Sequence, residues 1–100
     1  MIDLHGIAGF DWDDANARKS EAKHSVSQAE AEEVFLDPNV VIALDIAHSR
    51  DEERFHAFGL TMVGRPLLVS FTLRGNQTLV RVISARPMSV KERRRYAEEG

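Results

Sequence analysis

Residues 54–86 read RFHAFGLTMVGRPLLVSFTLRGNQTLVRVISAR, and this stretch determines the architecture of the chain. It is rich in β-branched and aromatic residues and is interrupted by turn sequences at Gly64-Arg65-Pro66 and at residues 74–77. This pattern predicts three strands, over residues 54–63, 67–73 and 78–86. Because the connecting turns are short, the strands are expected to pair as antiparallel hairpins.

The segments before this stretch predict two more strands and two helices. Strands are expected at residues 7–12, with Phe10 and Trp12 on one face, and at residues 40–45, followed by a polar loop over 46–53. Asp13 is placed to cap a helix that runs to about Lys23. A capping box at residues 27–30, Ser-Gln-Ala-Glu, opens a second helix, which Asp37-Pro38-Asn39 ends.

A last helix follows the sheet. Pro87 ends the final strand, and a second capping box, Ser-Val-Lys-Glu at residues 89–92, opens a helix through about Glu98. The predicted order is β-α-α-β-β-β-β-α, which indicates an α+β fold in which helices pack against an antiparallel sheet. One hundred residues are enough for a single domain, over residues 1–100.

The composition excludes several classes of protein. It is 43% hydrophobic and 29% charged, as in ordinary soluble globular domains and unlike disordered chains. The absence of cysteine excludes disulfides, thiolate metal sites and cysteine catalysis. The longest apolar run, Val40–Leu44, is far shorter than the roughly 20 residues of a membrane helix, and no secretory signal is visible. The expected location is the cytoplasm.

Charge is distributed unevenly along the chain. Residues 1–60 contain 13 Asp and Glu against 5 Lys and Arg, whereas residues 61–100 contain 8 Lys and Arg against 3 Glu. Seven of those eight cations are arginine, whose planar fork matches phosphate oxygens. The basic C-terminal part therefore favours contact with a polyanion, although a solvated strand face paired with the acidic half explains the same pattern.

Few residues have a pattern typical of catalysis. Lys23 and His24 stand at the predicted end of the first helix, where the helix dipole favours cations and where a histidine can act as acid or base. Arg81 and Arg86 are five residues apart, which puts them on opposite faces of a regular strand. A bulge must re-aim one of them if both serve one site. His56 is expected to be an ordinary surface or hydrogen-bonded histidine.

Several segments occur in an order that is informative as a set. They are Phe10–Asp13, Lys23–Ser27, Glu32–Pro38, Asp51–Phe55, Gly59, Arg81–Arg86 and Glu92–Tyr96. At these spacings the chain resembles the BrnT family of type II toxins, whose fold is similar to that of the RelE-like ribonucleases. The chain departs from the family pattern at three positions. Ser25 stands where the family usually has Gly, Ser20 where it has Asn, and Asn16 where Lys is common. Ser25 matters if the backbone there is left-handed, which serine tolerates poorly.

The resemblance implies a metal-independent endoribonuclease that needs no cofactor and inhibits translation and growth. It implies a neutralising antitoxin, BrnA, whose DNA-binding region lets the pair repress its own promoter. It also implies a heterotetramer of two toxins and two antitoxins. An inactive binding module, which docks an antitoxin and takes part in operator repression, is the alternative. Substitutions at Asn16, Ser20 or Ser25 define a further alternative, a degenerate toxin.

RNA carries its own nucleophile, the 2′-hydroxyl, so a protein only has to align it, move protons and stabilise charge on phosphorus. On this chemistry Arg81 and Arg86 are expected to bind the phosphate and stabilise its charge, with Arg54 as a weaker third. His24 is the predicted acid or base and Glu53 the runner-up base. Two further residues are predicted to contact substrate. Lys23 would hold a phosphate or tune His24, and Trp12 would stack on a base unless it packs in the core.

Overall fold

The predicted strands form one five-stranded sheet in a computed structural model of the chain, which describes residues 6–100. The order across the sheet is β1-β5-β4-β3-β2. The strands are β1 (Gly9–Trp12), β2 (Val41–Leu44), β3 (Phe55–Leu60), β4 (Pro66–Arg74) and β5 (Leu79–Pro87). Three pairs, β2–β3, β3–β4 and β4–β5, are antiparallel, as the short turns predict. The first strand instead runs parallel to β5, with Trp12 opposite Val82.

The helices begin where the sequence places their caps. They are α1 (Asp14–His24), α2 (Gln28–Val34) and α3 (Val90–Glu99). The Asp13 side chain accepts a hydrogen bond from the Ala15 backbone N–H at 2.8 Å, and both predicted capping boxes are formed. Some predicted bounds were too wide, since β1 starts at Gly9 and β3 ends at Leu60. A short 3-10 turn, Ile46–His48, lies in the predicted polar loop.

The core lies between the sheet and a helical layer made of α2 and the junction between α1 and α2. One cluster joins Val26, Ala31 and Val34 of the helical layer to residues of all three central strands, among them Phe71, which is fully buried. The Phe71 ring meets Phe35 edge-on, with centroids 5.1 Å apart. We call this side of the sheet the covered face. Phe10 and Trp12 both pack against it, as their alternation predicts.

The opposite side of the sheet, which we call the open face, carries His56, Ser70, Thr72, Arg81 and Arg86. Alternation along each strand places these residues away from the core cluster. Among the helices of residues 6–100, α3 alone lies over this side, at one end of the sheet. It covers a second apolar cluster of Phe58, Leu68 and Met88 with its Tyr96.

A carboxylate fastens α3 to the rest of the molecule. Asp37 Oδ2 accepts hydrogen bonds from the Tyr96 hydroxyl at 2.6 Å and from the Leu60 backbone N–H at 2.8 Å. Burial raises the pKa of Asp37. These two hydrogen bonds, and a third from the backbone N–H of Asn39, lower it by more, so the pKa of Asp37 lies below its usual value. Burial and the bond to Asp37 raise the pKa of Tyr96 to about 12.

At the junction between α1 and α2, the backbone of Ser25 is left-handed, the condition under which a serine at this position matters. Ser25 adopts φ 55° and ψ 39° as it ends α1. Its backbone N–H donates to the carbonyl of Glu21, and that of Val26 donates to the carbonyl of Ser20. A serine therefore occupies a conformation that glycine adopts at lower cost. Among residues 6–100, no helix is long and apolar enough to cross a membrane.

Candidate active site on the open face

A β-bulge brings two of the predicted site residues to one face. Phe71 of β4 pairs with Val82, whereas the preceding Ser70 pairs with Ser84, so Ile83 is an extra residue in β5. The extra residue changes the alternation, and Arg81 and Arg86 consequently both point to the open face. The bulge on which a shared site depends is therefore present.

The open face is ordered in rows that run across the sheet. Arg81 lies beside Thr72, and Arg86 lies beside Leu68, four residues away along β4. This separation is about 14 Å at the rise of an antiparallel strand. The row between them holds His56 and Ser70, which pair directly across β3 and β4. In the register of the sheet, Arg81 and Arg86 therefore lie on either side of the row that holds His56 and Ser70.

Arg86 is held by a carboxylate of α3. Its two terminal nitrogens donate to the two carboxylate oxygens of Glu92, each at 2.8 Å. The forked pair lowers the pKa of Glu92 to about 2 and raises that of Arg86 above its usual range. Glu92 also accepts a hydrogen bond from the Ser89 amide as part of the capping box. The start of α3 therefore fixes the direction of the Arg86 fork.

Arg81 is held more loosely, at the other end of the face. Its guanidinium lies 3.4 Å from Asp11 and 3.6 Å from Asp13. The arginine and both carboxylates are roughly a third or more exposed, so these contacts are weak and accessible to solvent. A phosphate can compete for this arginine more easily than for Arg86.

His56 lies in the row between the two arginines and contacts two polar side chains. Its Nδ1 lies 3.0 Å from Ser70 Oγ, and its Nε2 lies 3.3 Å from Asp45 Oδ2. Burial is the main cause that lowers the pKa of His56, with a further contribution from the nearby Arg86. The expectation of a hydrogen-bonded histidine is correct as far as it goes. The available signal was the polar residues at 56 and 70 within two apolar strands, but only the register shows that they meet.

Lys23 and His24 form the last turn of α1, and the His24 carbonyl accepts a hydrogen bond from Arg65 at 3.3 Å. Arg65 stands at the β3–β4 connection, where it also pairs with Glu30 at 2.9 Å. Among residues 6–100, no hydrogen bond or ion pair joins the His24 side chain to Arg81 or Arg86, and the role of His24 stays a prediction.

The three remaining predicted residues have different surroundings. Trp12 packs against the core cluster of the covered face and donates its indole N–H to Glu32 at 2.8 Å. Glu53 is exposed in the loop before β3. Arg54 is half-buried and directly precedes β3, where continuing the register would put it opposite Thr72. Within residues 6–100, Arg54 Nε and Thr72 Oγ1 are buried polar atoms that have no hydrogen-bond partner.

Two residues that differ from the family pattern also have identifiable places. Ser20 is the buried residue of α1, and its hydroxyl accepts a hydrogen bond from the Ala85 backbone N–H at 3.1 Å. Ala85 immediately precedes Arg86, beyond the point at which β1 ends opposite Val82. The Ser20 hydroxyl therefore provides the hydrogen-bond acceptor for a backbone N–H next to the candidate site. Asn16 is half-buried in the first turn of α1, and its backbone N–H donates a hydrogen bond to Asp13 Oδ1 at 3.3 Å.

The open face thus has the parts that phosphate chemistry requires. Two arginine forks can stabilise negative charge on phosphate oxygens. Between them lies a histidine whose lowered pKa favours the neutral ring, the form that accepts a proton. These groups stand on paired central strands of the sheet, which hold side chains more rigidly than loops do.

Comparison with known proteins supports the fold. The fold is similar to that of the ribonuclease toxin BrnT from Brucella abortus, known from a crystal structure at 1.1 Å resolution. The similarity has a TM-score of 0.61 at 22% sequence identity, and it covers 81% of this chain and 96% of the Brucella chain. No curated protein sequence matches the chain.

A match to a sequence-family model defines the class of protein. A family model described as "Ribonuclease toxin, BrnT, of type II toxin-antitoxin system" matches residues 12–92. The chain therefore belongs to the BrnT family of ribonuclease toxins. Membership in a type II toxin–antitoxin family implies RNA as substrate and an antitoxin as partner.

Proposed function

We propose that this chain is a metal-independent endoribonuclease that cleaves RNA by attack of the 2′-hydroxyl on the adjacent phosphate. The observation that carries the proposal is the bulge in β5, because it puts Arg81 and Arg86 on the same face with His56 between them. Two guanidinium groups supply the charge stabilisation that a metal ion supplies in other nucleases. Arg54, beside this face, is the weaker third contact.

The proposed reaction divides the work among these groups. Arg81 binds the phosphate, since its contacts with carboxylates are long and exposed. Arg86 stabilises the charge that develops on the phosphate oxygens, from a direction set by Glu92. His56 is the base for the 2′-hydroxyl, and the leaving 5′-oxygen takes a proton from water. The products are a 2′,3′-cyclic phosphate and a free 5′-hydroxyl.

In the cell, cleavage of RNA in the cytoplasm would inhibit translation and growth. A BrnA-like antitoxin would neutralise the toxin, in a complex of two toxins and two antitoxins, and operator DNA would be bound through the antitoxin. The resemblance to the BrnT family supports these partners. A size measurement of the co-expressed pair by light scattering tests the stoichiometry.

A second candidate function is an inactive module that only binds the antitoxin. One observation favours it: both open-face arginines already pair with carboxylates of the same chain, Arg86 in a forked pair with Glu92. In this alternative the two pairs hold the sheet to α3 and to the start of α1, and RNA is not cut.

Labelled RNA incubated in EDTA, both free and in a cell-free translation reaction, separates the two candidates. We expect the wild-type protein to cleave and to leave cyclic phosphate ends. Arg86→Gln is expected to cleave at least about 100-fold more slowly, on the order of 3 kcal/mol in the barrier. Arg94→Gln, an equal change of charge at an exposed position of α3, is the matched control and should cleave normally.

The same assay decides between the two histidines. His56→Ala should abolish cleavage if the open face is the site, whereas loss of cleavage in His24→Ala or Glu53→Gln would support the residues predicted from sequence. No cleavage by the antitoxin-free wild type in either reaction, together with normal binding of the antitoxin in a separate experiment, would establish the inactive module. Equal cleavage by wild type and Arg86→Gln would show that the nuclease is a contaminant or that Arg86 has another role.

A further inference from the structure

Three side chains on and beside the open face are joined by one hydrogen-bond contact and one ion-pair contact. Ser70 Oγ lies 3.0 Å from His56 Nδ1, and His56 Nε2 lies 3.3 Å from Asp45 Oδ2. They come from three separate segments, since Ser70 is in β4, His56 is in β3 and Asp45 directly follows β2. Only the register of the sheet brings them together, so local sequence does not explain the arrangement.

Electrostatics gives these contacts a direction. A carboxylate oxygen 3.3 Å from a ring nitrogen repels a lone pair on that nitrogen, so Asp45 favours the hydrogen on His56 Nε2. In the neutral ring the other nitrogen, Nδ1, is then an acceptor. The Ser70 hydroxyl therefore donates its proton to His56, and its own lone pairs are left for a substrate. Since both ring nitrogens are engaged, Ser70 is the outermost of the three side chains.

Asp45 is held firmly in place. Its side chain is only 9% exposed, its backbone N–H donates to the Arg54 carbonyl at 2.7 Å, and its own carbonyl accepts from Ser49 Oγ at 2.6 Å. His48 Nδ1 also lies against the same carboxylate oxygen, at 2.9 Å, but the His48 side chain is 63% exposed and does not reach Ser70 through hydrogen bonds.

We propose that Ser70, His56 and Asp45 form a proton relay for RNA cleavage, in which Asp45 is a positioning residue that sets the tautomer of His56. The proposal rests on the endoribonuclease function proposed above. In the reaction, the 2′-hydroxyl gives its proton to Ser70 Oγ as Ser70 passes its own proton to His56 Nδ1. The 2′-oxygen bonds to phosphorus and the bond from phosphorus to the 5′-oxygen breaks.

The proton count closes through solvent. The leaving 5′-oxygen takes a proton from water on the far side of phosphorus, and the hydroxide that remains recovers the proton from His56. The charged groups that face His56 are Asp45, His48, Arg86 and Glu92. Of these, the two carboxylates favour the protonated ring, while Arg86 and burial favour the neutral one.

The test compares Ser70→Ala and Asp45→Asn with His48→Gln, which touches the same carboxylate but lies outside the relay. We expect Ser70→Ala to lower kcat at least about 100-fold, as removal of a group that moves the proton does. Asp45→Asn should also lower kcat and move the acidic limb of the pH profile to lower pH, because a carboxylate that favours protonated His56 is gone. His48→Gln should cleave at the wild-type rate.

A merely structural Asp45 would lower stability without moving that limb. If the wild type cleaves and Arg86→Gln does not, while Ser70→Ala keeps the wild-type rate, the relay is wrong and the proposed function stands. If the wild type does not cleave, both are wrong.

A second measurement does not depend on cleavage. Nitrogen chemical shifts of His56 should show Nε2 protonated and Nδ1 unprotonated in the neutral ring, and Asp45→Asn should change this balance. Protonation at Nδ1 in the wild type overturns the relay whatever the assay gives. Since Asp45 is nearly buried, a folded Ser70→Ala keeps the test valid if Asp45→Asn fails to fold.

Discussion

The covered and open faces of the sheet are built from the same strands but differ in the contacts that their side chains make. On β4, Phe71 points to the covered face, is fully buried, and packs its ring against Phe35 and Phe55. Its neighbour Thr72 points to the open face and lies beside Arg81. The covered face is filled by apolar contacts that maintain the fold. The open face presents polar groups, and a substrate can replace some of their contacts. Stability and chemistry are therefore carried by alternate residues of one strand.

The largest test of this comparison is truncation of the covered face. Phe71→Ala is expected to lower the free energy of unfolding by about 3–5 kcal/mol, because it leaves a cavity in the core. Denaturant unfolding followed by circular dichroism measures the change. Thr72→Val, one residue away, is the control, since it removes a buried hydroxyl without a partner among the described residues and should leave stability equal or slightly higher. A similar loss in both variants would contradict the division between faces.

The second test concerns α3, the helix that lies on the open face. Asp37→Asn should cost about 1.5–3 kcal/mol, because Asp37 accepts from the Tyr96 hydroxyl and from the Leu60 amide as a charged group. Tyr96→Phe removes only one of those bonds and should cost less. If thermal unfolding of Asp37→Asn matches the wild type, α3 is held by its apolar contacts alone.

Stability measured as a function of pH shows how much the Arg86–Glu92 pair contributes to the free energy of unfolding. The pKa of Glu92 is lowered to about 2, so its contribution to stability is present above pH 4.5 and is lost as the pH falls towards 2. Because the pair is partly exposed, we expect about 1 kcal/mol. Glu92→Gln keeps a residue that can complete the capping box and should flatten the stability curve in this window. A curve as steep as that of the wild type would assign the acid sensitivity to other carboxylates, such as Asp37 and Glu30, whose pKa values are also lowered.

The smallest expected effect lies in the helical layer of the covered face. Ser25→Gly should stabilise the protein by about 0.5–1 kcal/mol, because glycine adopts φ 55° without the cost that serine bears. Ser27→Gly, two residues on at an extended cap position, is the opposite control and should destabilise the protein by removing the capping box. A melting temperature of Ser25→Gly below that of the wild type would show that serine is preferred here for another reason.

Local signals were enough to predict most of the fold. Asp13, Ser27 and Ser89 were identified as helix caps from their own residue types, and each accepts the expected backbone hydrogen bonds. The turns at residues 64–66 and 74–77 likewise predicted the hairpins. The parallel pairing of β1 with β5 was not predicted, because no turn connects these two strands and nothing local records their contact.

The candidate site was predictable only in part, for the same reason. Arg81 and Arg86 stood out by type and spacing, and the need for a bulge followed from an offset of five residues. The position of the bulge and the meeting of His56 with Ser70 and Asp45 depend on the register of three strands, which a single sequence does not supply. The prediction of His24 as a site residue depends on its place beside a cation at a helix end, which is a local feature of the sequence.

The contact between Asp11 and Arg81 joins residues that are 70 positions apart in the chain. During synthesis, β1 leaves the ribosome long before its partner β5 exists, so the N-terminal edge of the sheet must wait for nearly the whole chain. Closing so long a loop is slow compared with forming the hairpins of β3, β4 and β5. The hairpins are therefore expected to form first and β1 to dock last. The face that carries Arg81 is complete only when almost the whole protein has been made.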